Sequence, residues 1–239
     1  MQRRSNIRYA ALSDIGGRMR NEDAFLADRV DGYHVFAVAD GLGGHAAGDV
    51  ASRTAIEILT EAAGKGLPET EPAALLERAF QCANTAIRDY NREHRLNAGT
   101  TLSAAIVSDS GRCWIGTVGD SRTYIITPSS VWHTRDQSYV QSLVEAGMLS
   151  PEEAIFHPQK NILTRALGLA DRVEVDLDLV ELAEAVLVIS SDGLHDYVPA
   201  STIQGIVTTN EPDTACRLLV DAARDAAGTD NITVIVMRS

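Results

Sequence analysis

Aspartates stand at the ends of several apolar, strand-like runs in this sequence. Three runs lead into Asp40, Asp120 and Asp192, and a fourth begins directly after Asp230 and Asn231. A single aspartate in such a place is usually turn chemistry, since Asp-Gly pairs favour tight turns. Four aspartates at strand ends predict a cluster of carboxylates, because convergence of the strand ends would bring them together. Carboxylate oxygens are the ligands that Mg²⁺ and Mn²⁺ prefer, so the pattern indicates a divalent metal site.

A second candidate feature is the charged stretch Arg18-Met19-Arg20-Asn21-Glu22-Asp23. Such a run is most often a solvated surface. The alternative is a metal-binding carboxylate pair beside a phosphate clamp, because the planar guanidinium of arginine matches phosphate oxygens. Gly41 supports a metal site next to Asp40, since a glycine lets the main chain approach closely and offer its carbonyl as a ligand.

The composition fits one large domain that covers residues 1–239. Of the 239 residues, 45% are hydrophobic, and no linker-like tract interrupts them. Three widely spaced cysteines predict reduced thiols, and no apolar stretch approaches the ~20 residues of a membrane span. We therefore expect a cytoplasmic protein that binds no membrane. The net charge of −12 disfavours nucleic acid, because such a surface repels phosphate backbones.

The order of the predicted elements indicates an α+β fold. Helical patterns cover residues 46–63, the stretch from Pro72 onwards, and residues 211–227. Short strands joined by tight turns lie between Gly99 and Thr134, which is typical of antiparallel pairing. A further strand is predicted over residues 173–177. Helices and strands are thus segregated along the chain and do not alternate as in a βαβ array.

One motif points to a different chemistry. Cys82 and Arg88 have the Cys-x5-Arg spacing of cysteine-dependent phosphatases. That chemistry needs a glycine-bearing loop whose N–H groups surround the phosphate. Residues 83–87 contain no glycine and continue a helical period, so we predict that Cys82 is a core residue of a helix.

Six short motifs occur together in an order that one family shares. They are RMRNED at 18–23, DGLGGH at 40–45, GTT at 99–101, GDSR at 119–122, SDG at 191–193 and DNIT at 230–233. The sequence resembles the metal-dependent protein phosphatase 2C family, and in particular its compact bacterial, stand-alone members. The resemblance covers nearly the whole chain. It implies a four-layer fold, in which a central sandwich of two antiparallel β-sheets is flanked by helices on both faces.

The resemblance also implies a metal-ligand set. Asp40, Asp192 and Asp230 would bind two Mn²⁺ or Mg²⁺ ions directly, and Asp40 would bridge both. Gly41 would add its carbonyl oxygen. Asp120, together with Asp192, matches the position of a third ion in bacterial relatives.

The remaining residues of the implied site surround these ligands. Glu22 and Asp23 would hold metal-bound water, and Arg18 would bind the phosphate of the substrate, which leaves Arg20 as a bystander. His45, in the glycine-rich turn, is a candidate for contacting the substrate and protonating the leaving alkoxide. A metal-bound water is the alternative proton donor.

Three positions depart from the family pattern. The turn from Asp14 to Arg18 is one residue shorter than in most bacterial relatives, Gln137 stands where relatives commonly have histidine, and Thr229 stands where they often have arginine. None of these changes removes a ligand. We expect these three departures to affect the affinity for phosphate and the pH profile of the activity.

The segment from about residue 138 to 163 contains two short helical patterns broken by glycine and proline, which predicts a small subdomain. In the resembling phosphatases this region is a mobile flap beside the cleft, and we expect it to contact the protein part of the substrate. The alternative is a purely structural insertion.

The resemblance implies a protein serine/threonine phosphatase, in which a hydroxide bridging two ions attacks phosphorus and no protein nucleophile is needed. The expected partners are phosphorylated proteins and a cognate serine/threonine kinase, and we expect a monomer. Two alternatives stay open: another two-metal phosphoester hydrolase, such as a nuclease, or a catalytically weak, phosphatase-like interaction module. The negative charge opposes the nuclease and the intact ligand set opposes the module.

Overall fold

The structure is a computed structural model that describes residues 7–43 and 47–238. Within them the chain forms eleven strands and seven helices. The strands are β1 (Arg8–Asp14), β2 (Asp23–Val30), β3 (Tyr33–Leu42), β4 (Gly99–Thr100), β5 (Leu102–Ser108), β6 (Arg112–Val118), β7 (Arg122–Thr127), β8 (Ser130–His133), β9 (Asp176–Glu181), β10 (Val186–Ser190) and β11 (Ile232–Arg238). The helices are α1 (Gly48–Gly66), α2 (Pro72–His94), α3 (Tyr139–Glu145), α4 (Pro151–Ile155), α5 (Asp192–His195), α6 (Ala200–Thr209) and α7 (Pro212–Asp225). None of these helices is long and apolar enough to cross a membrane.

The strands form two antiparallel sheets, which confirms the predicted fold class. The first sheet has the order β1-β11-β10-β7-β8. The second has the order β2-β3-β5-β6-β9, and the short strand β4 pairs with β3. Tight turns join β5 to β6 and β7 to β8, so neighbours in sequence pair in space.

Three apolar cores hold four layers together. Between the second sheet and helices α1 and α2 lie side chains such as Leu59 and Phe80. Between the first sheet and helices α6 and α7 lie Ile203 and Leu219. The third core, which includes Phe36, lies between the two sheets.

The sequence of strand β3 is continuously apolar in its central part and does not alternate there between apolar and polar residues. Successive side chains of a strand point to opposite faces. Val35 and Ala37 contact the helical layer, whereas Phe36 and Val38 face the other sheet, and all four are fully buried. Both faces of β3 are therefore core, and only its end reaches polar surroundings at Asp40.

The pairing registers bring the predicted aspartates to one edge of the sandwich. Asp23, at the start of β2, lies opposite Asp40, near the end of β3. In the other sheet, β10 ends beside the start of β11, so Asp192 follows one strand end and Asp230 precedes the adjacent strand start. Antiparallel neighbours run in opposite directions, so strand ends and strand starts alternate along the same edge.

Two predictions were wrong. Cys82 is exposed on α2, because the buried stripe of that helix runs through Ala79, Phe80 and Ala83 and passes it by. The strand predicted over residues 173–177 is instead β9, which begins at Asp176. Val173 packs in the helical-layer core as part of an irregular segment, and its carbonyl accepts a hydrogen bond from α2.

Candidate active site

A cleft of about 540 Å³ opens at the edge where these strand ends meet. Its polar lining consists mainly of five carboxylates and two arginines. They are Glu22, Asp40, Asp120, Asp192 and Asp230, with Arg18 and Arg20. The sequence prediction thus identified residues that share one cavity. The sixth predicted carboxylate, Asp23, is not in that lining, and it lies opposite Asp40 in the sheet.

The main chain at Asp40 is fixed by the threonine pair of the GTT motif. The N–H of Asp40 donates to Thr101 Oγ1 (2.9 Å), and the carbonyl of Asp40 accepts from the N–H of Thr101 (2.9 Å). The Thr100 hydroxyl donates to that same carbonyl (2.9 Å). Three hydrogen bonds around one residue position its carboxylate at the cavity without using either carboxylate oxygen.

Gly41 is required by the close approach of neighbouring main chains. A Cβ at this position would lie 2.3 Å from the carbonyl oxygen of Gly48 and 2.7 Å from that of Glu22. Any side chain would separate β3 from the start of α1. Gly41 itself lines the cleft beside Asp40.

Asp23 connects the two sheets beneath the cleft. The Ser191 hydroxyl donates to Asp23 Oδ2 (2.8 Å), and Ser191 Oγ also accepts from the N–H of Thr233 (3.0 Å). Ser191 directly precedes Asp192. One serine thus joins the β2 carboxylate, the Asp192 turn and strand β11.

Asn231 is a residue that the sequence prediction missed. Its side chain is almost completely buried and makes three hydrogen bonds to the loop that precedes β2. Its Nδ2 donates to the carbonyls of Ile15 (2.9 Å) and Arg20 (2.8 Å), and its Oδ1 accepts from the N–H of Glu22 (2.8 Å). The signal in the sequence was an amide side chain directly after a proposed ligand, at the start of a buried strand.

The two arginines differ in their contacts. Arg18 Nη2 donates to Asp230 Oδ2 at 2.7 Å, and its side chain is 58% exposed. Arg20 also lines the cleft, but its side chain has no ion pair within the described part of the chain. The short turn before Arg18 packs on the same aspartate, because a Cβ on Gly16 would lie 1.8 Å from the carbonyl oxygen of Asp230.

Burial and like charge raise the pKa of several of these carboxyl groups. Burial first, and then the nearby Asp192, raises the pKa of Asp40 well above its usual range. Burial and the nearby Asp120 raise that of Asp192 in the same way. Burial also raises the pKa of Asp120 to about 7 and that of Asp23 to about 6. Each group costs free energy to ionise, unless a cation compensates it.

The donor set fits a hydrated divalent ion. Oδ1 of Asp192 and Oδ1 of Asp23 are buried and accept no hydrogen bond within residues 7–43 and 47–238. In the same residues, no three carboxylate, histidine or cysteine side chains are arranged to enclose an ion by themselves. Mg²⁺ suits this arrangement, because it usually keeps several waters and takes only one or two carboxylates.

The predicted flap reaches the cleft. Asn161 and Leu163, from the predicted flap, line the cleft. The flap contains α3 and α4, as its two broken helical patterns predicted. His45 lies outside the described residues.

Comparisons with known proteins agree with this architecture. A model of the protein phosphatase 2C family matches residues 13–216. The chain belongs to this family. It is 38% identical over 232 residues to the serine/threonine phosphatase stp of Listeria monocytogenes serotype 4b, covering 92% of each chain.

Solved structures of related phosphatases have the same fold over nearly the whole chain. Stp1 from Staphylococcus aureus superposes with a TM-score of 0.92 at 30% identity, covering 100% of this chain and 97% of that one. The catalytic domain of PstP in complex with two manganese ions superposes with a TM-score of 0.87 at 34% identity, covering 97% of each chain. The chain is a protein serine/threonine phosphatase of a family that uses Mn²⁺ or Mg²⁺.

The raised carboxyl pKa values predict how stability depends on pH in a chelator. Unfolded aspartate titrates near pH ~4, so the folded phosphatase binds more protons than the unfolded chain between about pH 4 and about pH 7. The free energy of unfolding should therefore fall as the pH rises through this window. Asp120→Asn removes one contributing group, so its decline should be smaller than that of the parent.

The measurement is urea denaturation in EDTA at several pH values. Asp28→Asn, on the exposed side of β2, is the matched control and should follow the parent. Parallel curves for the parent and Asp120→Asn would show that Asp120 does not ionise at a raised pKa.

Proposed function

We propose that this phosphatase removes phosphate from phosphoserine and phosphothreonine in protein substrates at the cleft described above. The observation that carries the proposal is the convergence of five carboxylates and Arg18 on one cavity. A carboxylate cluster alone repels a phosphate dianion. Divalent cations reverse that charge, and the arginine at the rim adds a second binding group for the phosphoryl oxygens.

We assign the metal ligands as follows. Asp40, Asp192 and Asp230 would hold two ions, and the Gly41 carbonyl would support Asp40. When bound, the ions supply a water of lowered pKa as the nucleophile and positive charge for the phosphoryl oxygens. Asp120 contributes to a weaker third position. Its raised pKa supports this assignment, because a cation stabilises a carboxylate that burial disfavours.

Glu22 and Asp23 support the assigned ligands from one side of the cleft. Glu22 lines the cavity and its N–H is held by Asn231, so its carboxylate is positioned to hold ordered water. Oδ2 of Asp23 accepts a hydrogen bond from the Ser191 hydroxyl. Its buried Oδ1 is therefore available to a water between the sheet and the cavity.

Arg18 is the proposed phosphate-binding residue. A guanidinium has five N–H donors, and Asp230 accepts only one of them in the structure. The remaining donors are sufficient for two parallel hydrogen bonds to phosphate oxygens. Asp230 therefore orients Arg18 as well as serving as a ligand, which places the phosphate next to the metal pair.

The three cysteines do not support a cysteine nucleophile. Cys113 and Cys216 are buried, and burial raises the pKa of both thiols, so neither is a thiolate at neutral pH. Cys82 is exposed on α2 and is not in the cleft lining. Arg88, six residues after Cys82, pairs with Asp171.

The flap, residues 138–163, is proposed to contact the protein part of the substrate. It lines the cleft through Asn161 and Leu163, and Lys160 Nζ lies 2.5 Å from Oδ2 of Asp196, just after α5. Phe156 is 86% exposed on the same segment. A phosphoprotein is large enough to reach Phe156 on the outer part of the flap, whereas a small aryl phosphate stays within the cleft.

The wider biological setting belongs to the same proposal. The enzyme acts as a cytoplasmic monomer that reverses a cognate serine/threonine kinase and binds neither nucleic acid nor membrane. The net charge of −12 supports the exclusion of nucleic acid.

The activity test uses p-nitrophenyl phosphate, a phosphothreonine peptide and single-stranded DNA, each with Mn²⁺ and with EDTA. We expect hydrolysis of the first two substrates only, and only with metal. Asp40→Asn should abolish turnover because it damages the metal pair, whereas Asp28→Asn should not. Phosphatase activity that persists in metal-free protein would contradict the proposal, and DNA cleavage would favour a nuclease.

Another prediction separates the roles of Arg18 and Arg20. Arg18→Ala should lower kcat/KM by ~10²–10³-fold, the usual effect of removing one electrostatic stabiliser. Arg20→Ala is the matched control and should change it less than about twofold, a difference of only ~0.4 kcal/mol in transition-state binding. If Arg20→Ala were the more damaging change, the phosphate-binding role would belong to Arg20.

A separate prediction concerns the flap. Replacing Val144 to Ile155 by a short Gly-Ser linker removes the last two residues of α3, the loop after it and all of α4, but keeps both ends of the flap. We expect kcat/KM to fall on a phosphoprotein and to change little on p-nitrophenyl phosphate, which serves as the internal control. Equal losses on both substrates, or no loss on either, would assign the flap a structural role only.

A further inference from the structure

Gln137 is a buried polar residue with no role in the function proposed so far. Only 5% of it is exposed, and it lies directly before the flap. Its side chain and main chain together make four hydrogen bonds, to two separate parts of the chain. Buried amides are normally satisfied in this way, and this one joins the turn of a proposed ligand to the base of the flap.

The first group of bonds fixes the turn that carries Asp120. Gln137 Oε1 accepts from the N–H of Gly119 (2.9 Å), and Gln137 Nε2 donates to the carbonyl of Thr117 (3.2 Å). The main-chain N–H of Gln137 donates to the carbonyl of Gly119 (2.9 Å). Both polar main-chain atoms of Gly119 are therefore bound to one residue.

The opposite side of this turn is equally constrained. Gly119 has a φ of +99°, and a Cβ on it would lie 2.6 Å from a carbon of the Thr101 side chain. Thr101 is the residue that fixes the main chain at Asp40. The Asp120 turn is thus held between Thr101 on one side and Gln137 on the other, so a shift of Gln137 changes the direction of Asp120.

The remaining bond closes the base of the flap. The N–H of Thr164 donates to the carbonyl of Gln137 (2.8 Å), and the N–H of Tyr139 donates to the carbonyl of Ile162 (2.7 Å). Between them, Ser138 forms an antiparallel bridge with Leu163. The two ends of the flap therefore meet in a short ladder whose first member is Gln137.

We propose that Gln137 is a positioning residue that couples Asp120 to the flap. Binding of a divalent cation at Asp120 and ordering of the flap base then favour each other, because both require the same arrangement of Gln137. Such coupling is reciprocal for binding free energies. The inference rests on the proposed roles of Asp120 and the flap, and it adds the residue through which they act on one another.

The test measures the coupling without using activity. Amide hydrogen exchange at Tyr139 and Thr164 is recorded as Mn²⁺ is added alone, and calorimetry follows Mn²⁺ binding. In the parent we expect Mn²⁺ to slow exchange at both amides, and Asp120→Asn to abolish that effect. In Gln137→Leu the effect should be lost, and the weakest Mn²⁺ site should lose about tenfold in affinity, as typical coupling free energies imply.

Two further variants separate positioning from simple stabilisation. Gln137→His restores one donor and one acceptor, since neutral imidazole has one of each, and should rescue both readouts. Gln141→Leu is the matched control: its side chain donates to Glu145 on the same helix (3.0 Å), and its main-chain hydrogen bond to Ser138 is kept in the variant, so it should behave as the parent. Gln137→Leu should also raise KM for a phosphopeptide more than it lowers kcat on p-nitrophenyl phosphate.

The outcomes are distinguishable from those of the activity test. If the parent hydrolyses phosphopeptides but exchange at Thr164 ignores Mn²⁺, the coupling is wrong and the function stands. A folded Gln137→Leu protein that keeps the Mn²⁺ response, or a folded Gln137→His protein that does not regain it, would also overturn the coupling. If the parent is inactive on every phosphate ester, the function fails, whereas the exchange data still decide the coupling.

Discussion

Five carboxylates share one cleft, and three of them, Asp40, Asp120 and Asp192, are held there at an electrostatic cost. Burial and repulsion by nearby carboxylates raise the pKa of Asp40, Asp120 and Asp192, so their charged forms are disfavoured in the folded chain. A divalent cation reverses the balance, because it attracts the charges that otherwise repel one another. The same cluster is therefore a source of instability without metal and a source of binding free energy with it.

The scaffold withstands this repulsion because the apolar cores lie directly behind it. Strand β3 is buried on both faces up to Ala39, and its position is fixed before Asp40 is reached. Burial of this kind stabilises by about 25 cal/mol per Å² of apolar surface, which accumulates over three cores. The carboxylates cannot move apart without disturbing the strands that carry them.

Neutral side chains supply the final positioning. Thr101 and Asn231 hold the main chain of the cleft residues Asp40 and Glu22, and Ser191 holds one oxygen of Asp23 beneath the cleft. None of the three adds charge. A lysine or arginine in the same places would pair with the carboxylates and compete with a cation. Neutral hydrogen bonds fix the geometry and leave the negative potential intact. Gln137 shares this property, which makes it suitable for positioning Asp120.

Sequence alone determined a large part of this picture. The apolar runs predicted the strands, their antiparallel order and the layered α+β class, and aspartates at strand ends predicted the carboxylate cluster. These signals are local, since they depend on the alternation or continuity of neighbouring residues. The main errors arose where local patterns were ambiguous. Cys82 is an apolar-type residue on an amphipathic helix, and only the direction in which α2 faces its sheet decides that it is exposed.

The tertiary structure decided what depends on residues far apart in the chain. Arg18 and Arg20 are two positions apart and chemically identical, yet only Arg18 meets Asp230, because the turn at Gly16 packs on that residue. Asn231 and Gln137 carry no motif that reveals their partners, which lie across the fold. Sequence determined which chemistry is present at each strand end. Packing of the two sheets determined which groups meet, because contact between distant residues is set by the register and orientation of whole elements.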